Sequence, residues 1–304
     1  MKIYVFTGNE NWVCDRFAKE WVSHNKELCS PPEEAEIIWI ISPWLWQCLP
    51  PTLLQNKKVV VTIHHLVREK FTKASLKEFL IRDSFVDMYH VPCEQTKSFI
   101  EKMTSKPICV IPFWVNQGVW YPMPNRDALR RSFDIEPTKF LIGSFQRDTE
   151  GHDLISPKLE KGPDLFCDIV EKMHSSNNDI EVVLAGWRRQ YIMRRLSEKG
   201  IKFHYYELPS FDTLNKLYNI LNLYLVSARC EGGPQAIVEC AATETPIIST
   251  DVGIASTILS PQSLYQIEKY DLATPDVDYA KNRVREYYIP KGFTRFVDMF
   301  REVK

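Results

Sequence analysis

The chain has 304 residues, 44% of them hydrophobic and 25% charged, with a formal net charge of −1. Those proportions fit a soluble globular protein of about two domains, and the near-neutral balance excludes the broad basic field that nucleic-acid binding relies on. No run reaches the ~18 apolar residues of a membrane span: the nearest, IIWIISPWLW, is broken by Ser42 and Pro43.

Strand-like runs alternate with helical patterns from the start of the chain. MKIYVFTG reads as a strand rather than a leader peptide. KIYVFT, AEIIWIIS, KVVVTI, VDMYHV and PICVIP are the first strands, with helices such as DRFAKEWVSH and EQTKSFIEKM between them. From residue 139 the rhythm returns in KFLIGSF, EVVLAG, KFHYYE, LNLYLVS and PIISTD. Several of these runs are apolar almost throughout, as parallel strands covered on both faces are. Between the two series lies PFWVNQGVWYPMPNR, residues 112–126, which is rich in proline, aperiodic, and read as a linker. After Asp251 the alternation fades, and KNRVREYYIPKGFTRFVDMFREV reads as two helices parted by IPKG. The expected fold is α/β: two doubly wound, Rossmann-like domains, 1–118 and 119–304, facing a central cleft at the carboxyl ends of their strands. The last helix, about 290–304, is expected to pack back on the first domain. The eight cysteines include no C-x-x-C pair, which fits reduced thiols in a cytoplasmic protein.

One stretch concentrates chemistry. CEGGPQAIVEC, residues 230–240, follows the strand LNLYLVS and carries Glu231 and Glu239. Pro234 suits the first helical position, where its missing N–H costs nothing, with Gly233 as the cap. The amides of Gln235 and Ala236 then open a helix, which is a ready anion site, and Gly232 and Gly233 let phosphate oxygens approach the backbone. Glu239 lies roughly 7–8 Å further along the axis at about 1.5 Å per residue. One carboxylate can then face a sugar and the other a ribose, with a diphosphate between. The plainer alternative is a strand–loop–helix connection with Glu239 in solvent and Glu231 balanced by Arg229.

The longer stretch YNILNLYLVSARCEGGPQAIVECAATETPIISTDVG resembles the signature of retaining glycosyltransferases of the GT-B fold, family 4, whose E-x7-E motif falls on Glu231 and Glu239. KFLIGSFQR resembles that family's strand ending in a diphosphate-binding arginine, here Arg147. KGPDLFCDIV resembles its Lys-Gly helix start, here Lys161, with Lys158 as the alternative. EVVLAGW matches the strand whose end, at Gly186, lies beside the nucleotide. In the first half, VVVTIHH resembles a strand ending in a sugar-contacting histidine, His64, with His65 adjacent. VIPFWVNQGVW resembles the linker, with Asn116 in place of the usual aspartate, while TGNENW stands where a glycine-rich loop is frequent. The resemblance implies transfer of a hexosyl group from a nucleotide-diphosphate sugar, as co-substrate, to an acceptor hydroxyl. The configuration is retained, no metal is required, and the acceptor is a saccharide, a lipid-linked glycan or another hydroxyl compound. Glu231 then binds sugar hydroxyls, and the departing phosphate helps to deprotonate the acceptor. A nucleotide-sugar-binding accessory subunit without turnover and a nucleotide-sugar epimerase are the alternatives.

Three further features have two readings each. Residues 57–82 hold seven Lys or Arg against Glu69 and Glu78, a segment able to meet the anionic inner face of a membrane but more simply a solvated helix face. Trp44 and Trp46 in PWLWQCLPP suit either sugar stacking or the core. Asp276 and Asp278, the single D-x-D, follow no strand and read as a solvated loop rather than a metal site.

Overall fold

The computed structural model describes residues 1–10, 13–151 and 153–303, so Asn11 and Trp12 of TGNENW lie outside the described residues. Residues Met1–Trp114 and Ile289–Lys304 make one compact unit and Val115–Tyr288 the other. The boundary therefore stands between Trp114 and Val115 rather than after Gly118. The terminal helix groups with the first unit.

The first unit contains strands β1 (Ile3–Phe6), β2 (Ile37–Ile40), β3 (Lys58–Thr62), β4 (Met88–Val91) and β5 (Ile108–Val110), with helices α1 (Val13–His24), α2 (Pro51–Asn56), α3 (Lys73–Asp83) and α4 (Glu94–Ile100). The strands pair in parallel in sequence order. β2 is buried at every position, as a strand covered on both faces must be. Its odd-numbered side chains, Ile37 and Trp39, pack in a cluster with Phe17 and Trp21 of α1. Its even-numbered ones, Ile38 and Ile40, pack with Leu54, Phe79 and Ile100 of α2, α3 and α4.

The second unit contains α5 (Arg126–Ser132), β6 (Phe140–Ser144), α6 (Pro163–Ser176), β7 (Ile180–Ala185), α7 (Gln190–Glu198), β8 (Phe203–Tyr206), α8 (Phe211–Ile220), β9 (Leu223–Val226), α9 (Gln235–Thr243), β10 (Ile247–Thr250), α10 (Ala255–Ile258), β11 (Leu264–Tyr265) and α11 (Val277–Val284). Its parallel sheet runs β11-β10-β9-β6-β7-β8. The chain winds one way from β6 to β8, then returns to β9 on the other side of β6 and winds outward again. Such a reversal opens a crevice at the carboxyl ends of the two central strands, here β6 and β9, and open α/β sheets bind ligands there. The two-residue β11 is the strand that the fading pattern after Asp251 conceals.

The presumed linker is not a solvated tether. Phe113, Trp114, Val115 and Trp120 are all buried. Phe113 stacks on Phe17 at 4.0 Å, and Trp114 meets Phe293 edge-on at 4.6 Å. Phe293 precedes α12 (Thr294–Val303), whose Phe296 and Phe300 lie against Trp39 at 5.6 and 5.2 Å. Aromatic pairs of this kind add ~0.5–1.5 kcal/mol each beyond their buried area. Asn116 serves the turn that follows, its Oδ1 accepting from the Gly118 amide at 2.9 Å.

A polar chain crosses the first unit's core. Trp39 Nε1 donates to Thr62 Oγ1 at 2.9 Å, Thr62 Oγ1 lies 2.9 Å from His90 Nδ1, and His90 Nε2 lies 2.8 Å from the Ile111 carbonyl. The carbonyl can only accept, so Nε2 carries the proton, Nδ1 accepts from Thr62, and the ring is neutral. Burial holds the His90 pKa down to about 3. The unfolded chain therefore binds the proton as pH falls through about 6.5, while the folded chain refuses it until about 3. Stability contributed by neutral His90 is complete above pH 6.5 and declines below it. About 2 kcal/mol should be lost by pH 5 from this group, and urea unfolding at pH 7 and pH 5 should show the loss shrinking in His90→Asn. An identical pH dependence in the variant would reject the assignment.

Candidate active site

The carboxyl ends of β6, β7 and β9 bring the second unit's predicted residues together. After β6 the chain passes Phe145 and Gln146 to Arg147, whose Nε donates to the Thr149 carbonyl at 2.9 Å. Gln146 Nε2 donates to the Lys161 carbonyl at 2.9 Å, joining the β6 loop to the start of α6. That start is built on Gly162, with φ +62. A Cβ there would lie 1.8 Å from the Ser227 carbonyl oxygen at the end of β9, so no other residue fits. The close approach sets Lys161 beside the glutamate loop, and its Nζ forms an ion pair with Glu231. Arg229 is not the partner of Glu231. Its guanidinium instead grips Asp164 in a fork, at 2.8 and 2.6 Å.

Lys158 also reaches this edge, 3.4 Å from Glu160. Burial lowers its pKa, as do the neighbouring charges of Lys161 and Arg147, while Glu160 pulls the other way. Arg147 is likewise lowered by burial and then by Arg188. Lys158 and Arg147 thus lie near enough to Lys161 and Arg188 for their own charged forms to be disfavoured. Both candidate lysines are present, Lys158 within the cation cluster and Lys161 against the carboxylate.

The glutamate stretch departs from expectation in one detail. Pro234 is the cap of α9, not its first residue, with φ −57 and a non-helical ψ of 108. Gly233 therefore lies one residue before the cap. The proline's fixed φ still orients the entry, and Gln235 and Ala236 occupy the first turn, both half-buried. Gly232 is held from behind by Gly253, whose φ is +59. A Cβ on Gly253 would come within 2.4 Å of the Gly232 carbonyl oxygen. Glu239 is buried rather than solvated, its Oε2 accepting from Tyr218 Oη at 2.8 Å. Gly186 follows β7 with φ +94, a conformation that favours glycine, and Trp187 beyond it is 50% exposed with the Arg188 guanidinium 4.3 Å over its ring.

Residues that the sequence reading passed over hold the edge in place. Arg189, at the cap of α7, is fully buried. Its Nε donates to Asp148 at 3.1 Å, its Nη1 to the carbonyls of Ser144 and Ala185, and its Nη2 to Ser144 Oγ at 3.1 Å. Asp148, next to Arg147, also accepts from the Tyr191 amide at 3.2 Å. Two arginines just past a strand end, with an aspartate just past the neighbouring one, are the available sequence signal. Asp276 caps α11 by accepting from the Tyr279 amide at 3.0 Å, so the D-x-D belongs to a helix start and not to a loop. No cluster of three metal-ligating side chains occurs among the described residues.

In the first unit, His64 follows β3. Its Nε2 lies 2.8 Å from the Ile41 carbonyl and 3.5 Å from Cys14 Sγ, and its ring stacks on Phe113 at 5.7 Å. His64 and His65 both line a pocket of about 400 Å³ with Trp44, Phe71 and Arg82. The two tryptophans separate cleanly. Trp46 is 7% exposed, with Nε1 donating to Glu78 at 2.7 Å. Trp44 is 45% exposed and anchored through Glu10 at 2.9 Å.

The family described as "Glycosyl transferases group 1" matches residues 154–274, the part holding Lys158, Lys161, Gly186, Glu231 and Glu239. The lipopolysaccharide core biosynthesis mannosyltransferase LpsB of Rhizobium meliloti (strain 1021) is 22% identical over 227 residues, covering 70% of this chain and 59% of LpsB. The chain thus spans less than two thirds of that relative. The crystal structure of HepE from Anabaena, in complex with UDP and glucose, matches 99% of this chain and all of that one, with a TM-score of 0.78 at 10% identity. The fold is GT-B. Sucrose-phosphate synthase from Thermosynechococcus elongatus has a TM-score of 0.68 over 94% of this chain and 76% of its own, at 14% identity. Within the GT-B fold of this chain, the matched segment begins just after the Asp148 anchor and takes in Arg189.

The Asp148–Arg189 pair yields a stability prediction. Arg189→Met strands the Asp148 charge in the interior and should lower the urea unfolding free energy by ~3–5 kcal/mol. Adding Asp148→Asn should recover part of that loss. If the double variant is no more stable than the single one, the pair is not the anchor described.

Proposed function

We propose that the chain is a retaining, metal-independent glycosyltransferase that moves a hexosyl group from a nucleotide-diphosphate sugar to an acceptor hydroxyl in glycan biosynthesis. The observation that carries this is the cation cluster of Arg147, Lys158 and Lys161, set at the point where the second sheet reverses and beside the opening turn of α9. The group 1 match over the same residues supports it, as do the UDP and glucose bound by HepE and the mannosyltransferase activity named for LpsB.

The chemistry follows from where charge develops. As the anomeric bond breaks, the leaving diphosphate gains negative charge. Fixed cations and helix-start amides stabilise that charge without reorganising, each such donor contributing ~2.7–4 kcal/mol by analogy with oxyanion holes. Arginine suits a two-pronged grip on phosphate, whereas lysine acts as a point charge. The Lys161–Glu231 pair gives the site an internal ligand exchange. A bound diphosphate competes for the ammonium, and the released carboxylate is then free to accept hydrogen bonds from sugar hydroxyls. Glu239, ordered by Tyr218, takes the ribose. The departing phosphate receives the acceptor's proton, so no protein base is needed. In the first unit, the pocket beside His64 and the exposed Trp44 ring are proposed for the acceptor side, since an exposed indole face suits a sugar ring.

A nucleoside diphosphate at about a hundred times its dissociation constant should add ~2.7 kcal/mol of stability, read as several degrees of melting temperature. A panel of nucleotide diphosphates and their sugars with no response in any member would overturn the reading. Glu231→Ala should lower turnover about a hundredfold or more while keeping the shift with nucleotide diphosphate; loss of both together would assign Glu231 to the fold instead. Turnover in excess EDTA should equal that without it, and its abolition would refute metal independence.

A further inference from the structure

Helix α3 is inside out. Its inward side carries Phe79 together with Arg82, whose Nη1 donates to Glu78 at 3.1 Å and which is only 6% exposed. Trp46 caps the same Glu78 carboxylate. Asp83 is also committed inward, accepting from Tyr89 Oη at 3.0 Å and Thr104 Oγ1 at 2.7 Å. The outward side carries Leu76, Leu80 and Ile81, exposed by 37%, 49% and 48%. Lys73 and Lys77 stand among them, with no ion pair among the described residues, and these five line one shallow depression with Ser84. A surface helix normally turns its apolar stripe to the core and its ions to water. Here an arginine is buried, its partner Glu78 stays 43% exposed at the edge, and three large aliphatics face out.

We propose that this outward face is an interfacial surface that docks the chain on an anionic lipid bilayer. The arrangement of charge decides the partner. Lysine is depleted in the cores of protein–protein interfaces. On a membrane, by contrast, its long stem lies along apolar surface while the ammonium reaches the headgroups. A second copy meeting this face about a twofold axis would set Lys73 and Lys77 against like charge. No acid lines the depression, and the turn Arg68–Lys70 before the helix adds two cations against Glu69, so the edge is net positive. At eleven residues, roughly 16 Å at about 1.5 Å per residue, α3 lies on a bilayer and does not cross it. No helix among the described residues is long and apolar enough to span one. The binding is modest and reversible, needing both the aliphatics and the charge. The inward face of the same helix contributes Ser75, Glu78, Phe79 and Arg82 to the pocket beside His64. A bilayer under α3 therefore lies one helix thickness from the proposed acceptor site, which favours an acceptor presented from lipid.

The surface stands apart from the donor reading and is tested without it. The full chain is floated with vesicles of phosphatidylglycerol and phosphatidylcholine in equal parts, and with phosphatidylcholine alone. Wild type should float with the anionic vesicles only and be released by high salt. Lys73→Gln/Lys77→Gln should weaken partitioning at least ~tenfold, and Leu76→Ser/Leu80→Ser/Ile81→Ser by a comparable factor. These positions are exposed, so folding is checked by an unchanged melting temperature and an unchanged circular dichroism spectrum. Wild type that stays unbound overturns the proposal, as does a serine variant that floats like wild type. A wild-type dimer dissolved by the serine changes, with no vesicle binding, assigns the face to a second copy and likewise overturns it. A chain that floats yet ignores every nucleotide diphosphate sinks the donor reading alone.

Discussion

Like charges do not gather at a protein edge unless something holds them there. Arg147, Lys158, Lys161 and Arg188 are each carried on backbone that cannot easily relax away. Arg147 precedes Asp148, which is locked to the fully buried Arg189. Lys161 precedes Gly162, whose missing Cβ lets the chain press against Ser227. Arg188 adjoins Arg189 itself. The repulsion among the cations is thus borne by buried hydrogen bonds and by packing. The proposed transfer draws on this constraint, because electrostatic stabilisation in place before a reaction costs nothing at the moment charge develops.

The same unit shows why the carboxylates need different surroundings. Glu231 sits in a loop, paired with the Lys161 ammonium. Glu239 sits mid-helix, fixed by a buried tyrosine whose own ionisation burial suppresses. One is paired with a cation and the other is held by a hydroxyl, although the two lie on one short stretch. In the first unit the polar groups are spent differently. His90 and Thr62 tie adjacent strands from within, and Arg82 turns a helix's charge toward the interior.

Much of this was legible in the sequence because it is local. Strands buried on both faces announce themselves as apolar runs, and every such run up to Asp251 lies on a strand. The Glu-Gly-Gly-Pro turn could be placed to within one residue, because proline and glycine dictate backbone more than context does. What escaped was long-range. Arg189 reads as an ordinary surface arginine until β6 and β7 are paired and their carbonyls converge on it. Gly253 reads as a loop residue until its missing Cβ is seen to face Gly232. Trp44 and Trp46 are two residues apart in one short helical turn, and only the tertiary fold shows which is covered. Residues 112–126 read as a linker by composition, yet Phe113, Trp114 and Trp120 are core. The basic run at 57–82 read as a solvated face, and charge counting could not reveal that its leucines point outward.

The first unit is not contiguous in the chain. Phe293, Phe296 and Phe300 complete the aromatic cluster around Trp21, Trp39 and Trp114, and they arrive from its last residues. During synthesis on a ribosome, domains ordinarily finish folding in the order they emerge. Here the order inverts. The segment 115–288 has all its parts as soon as it is out, whereas Met1–Trp114 lacks the cover of its tryptophan face until α12 is released.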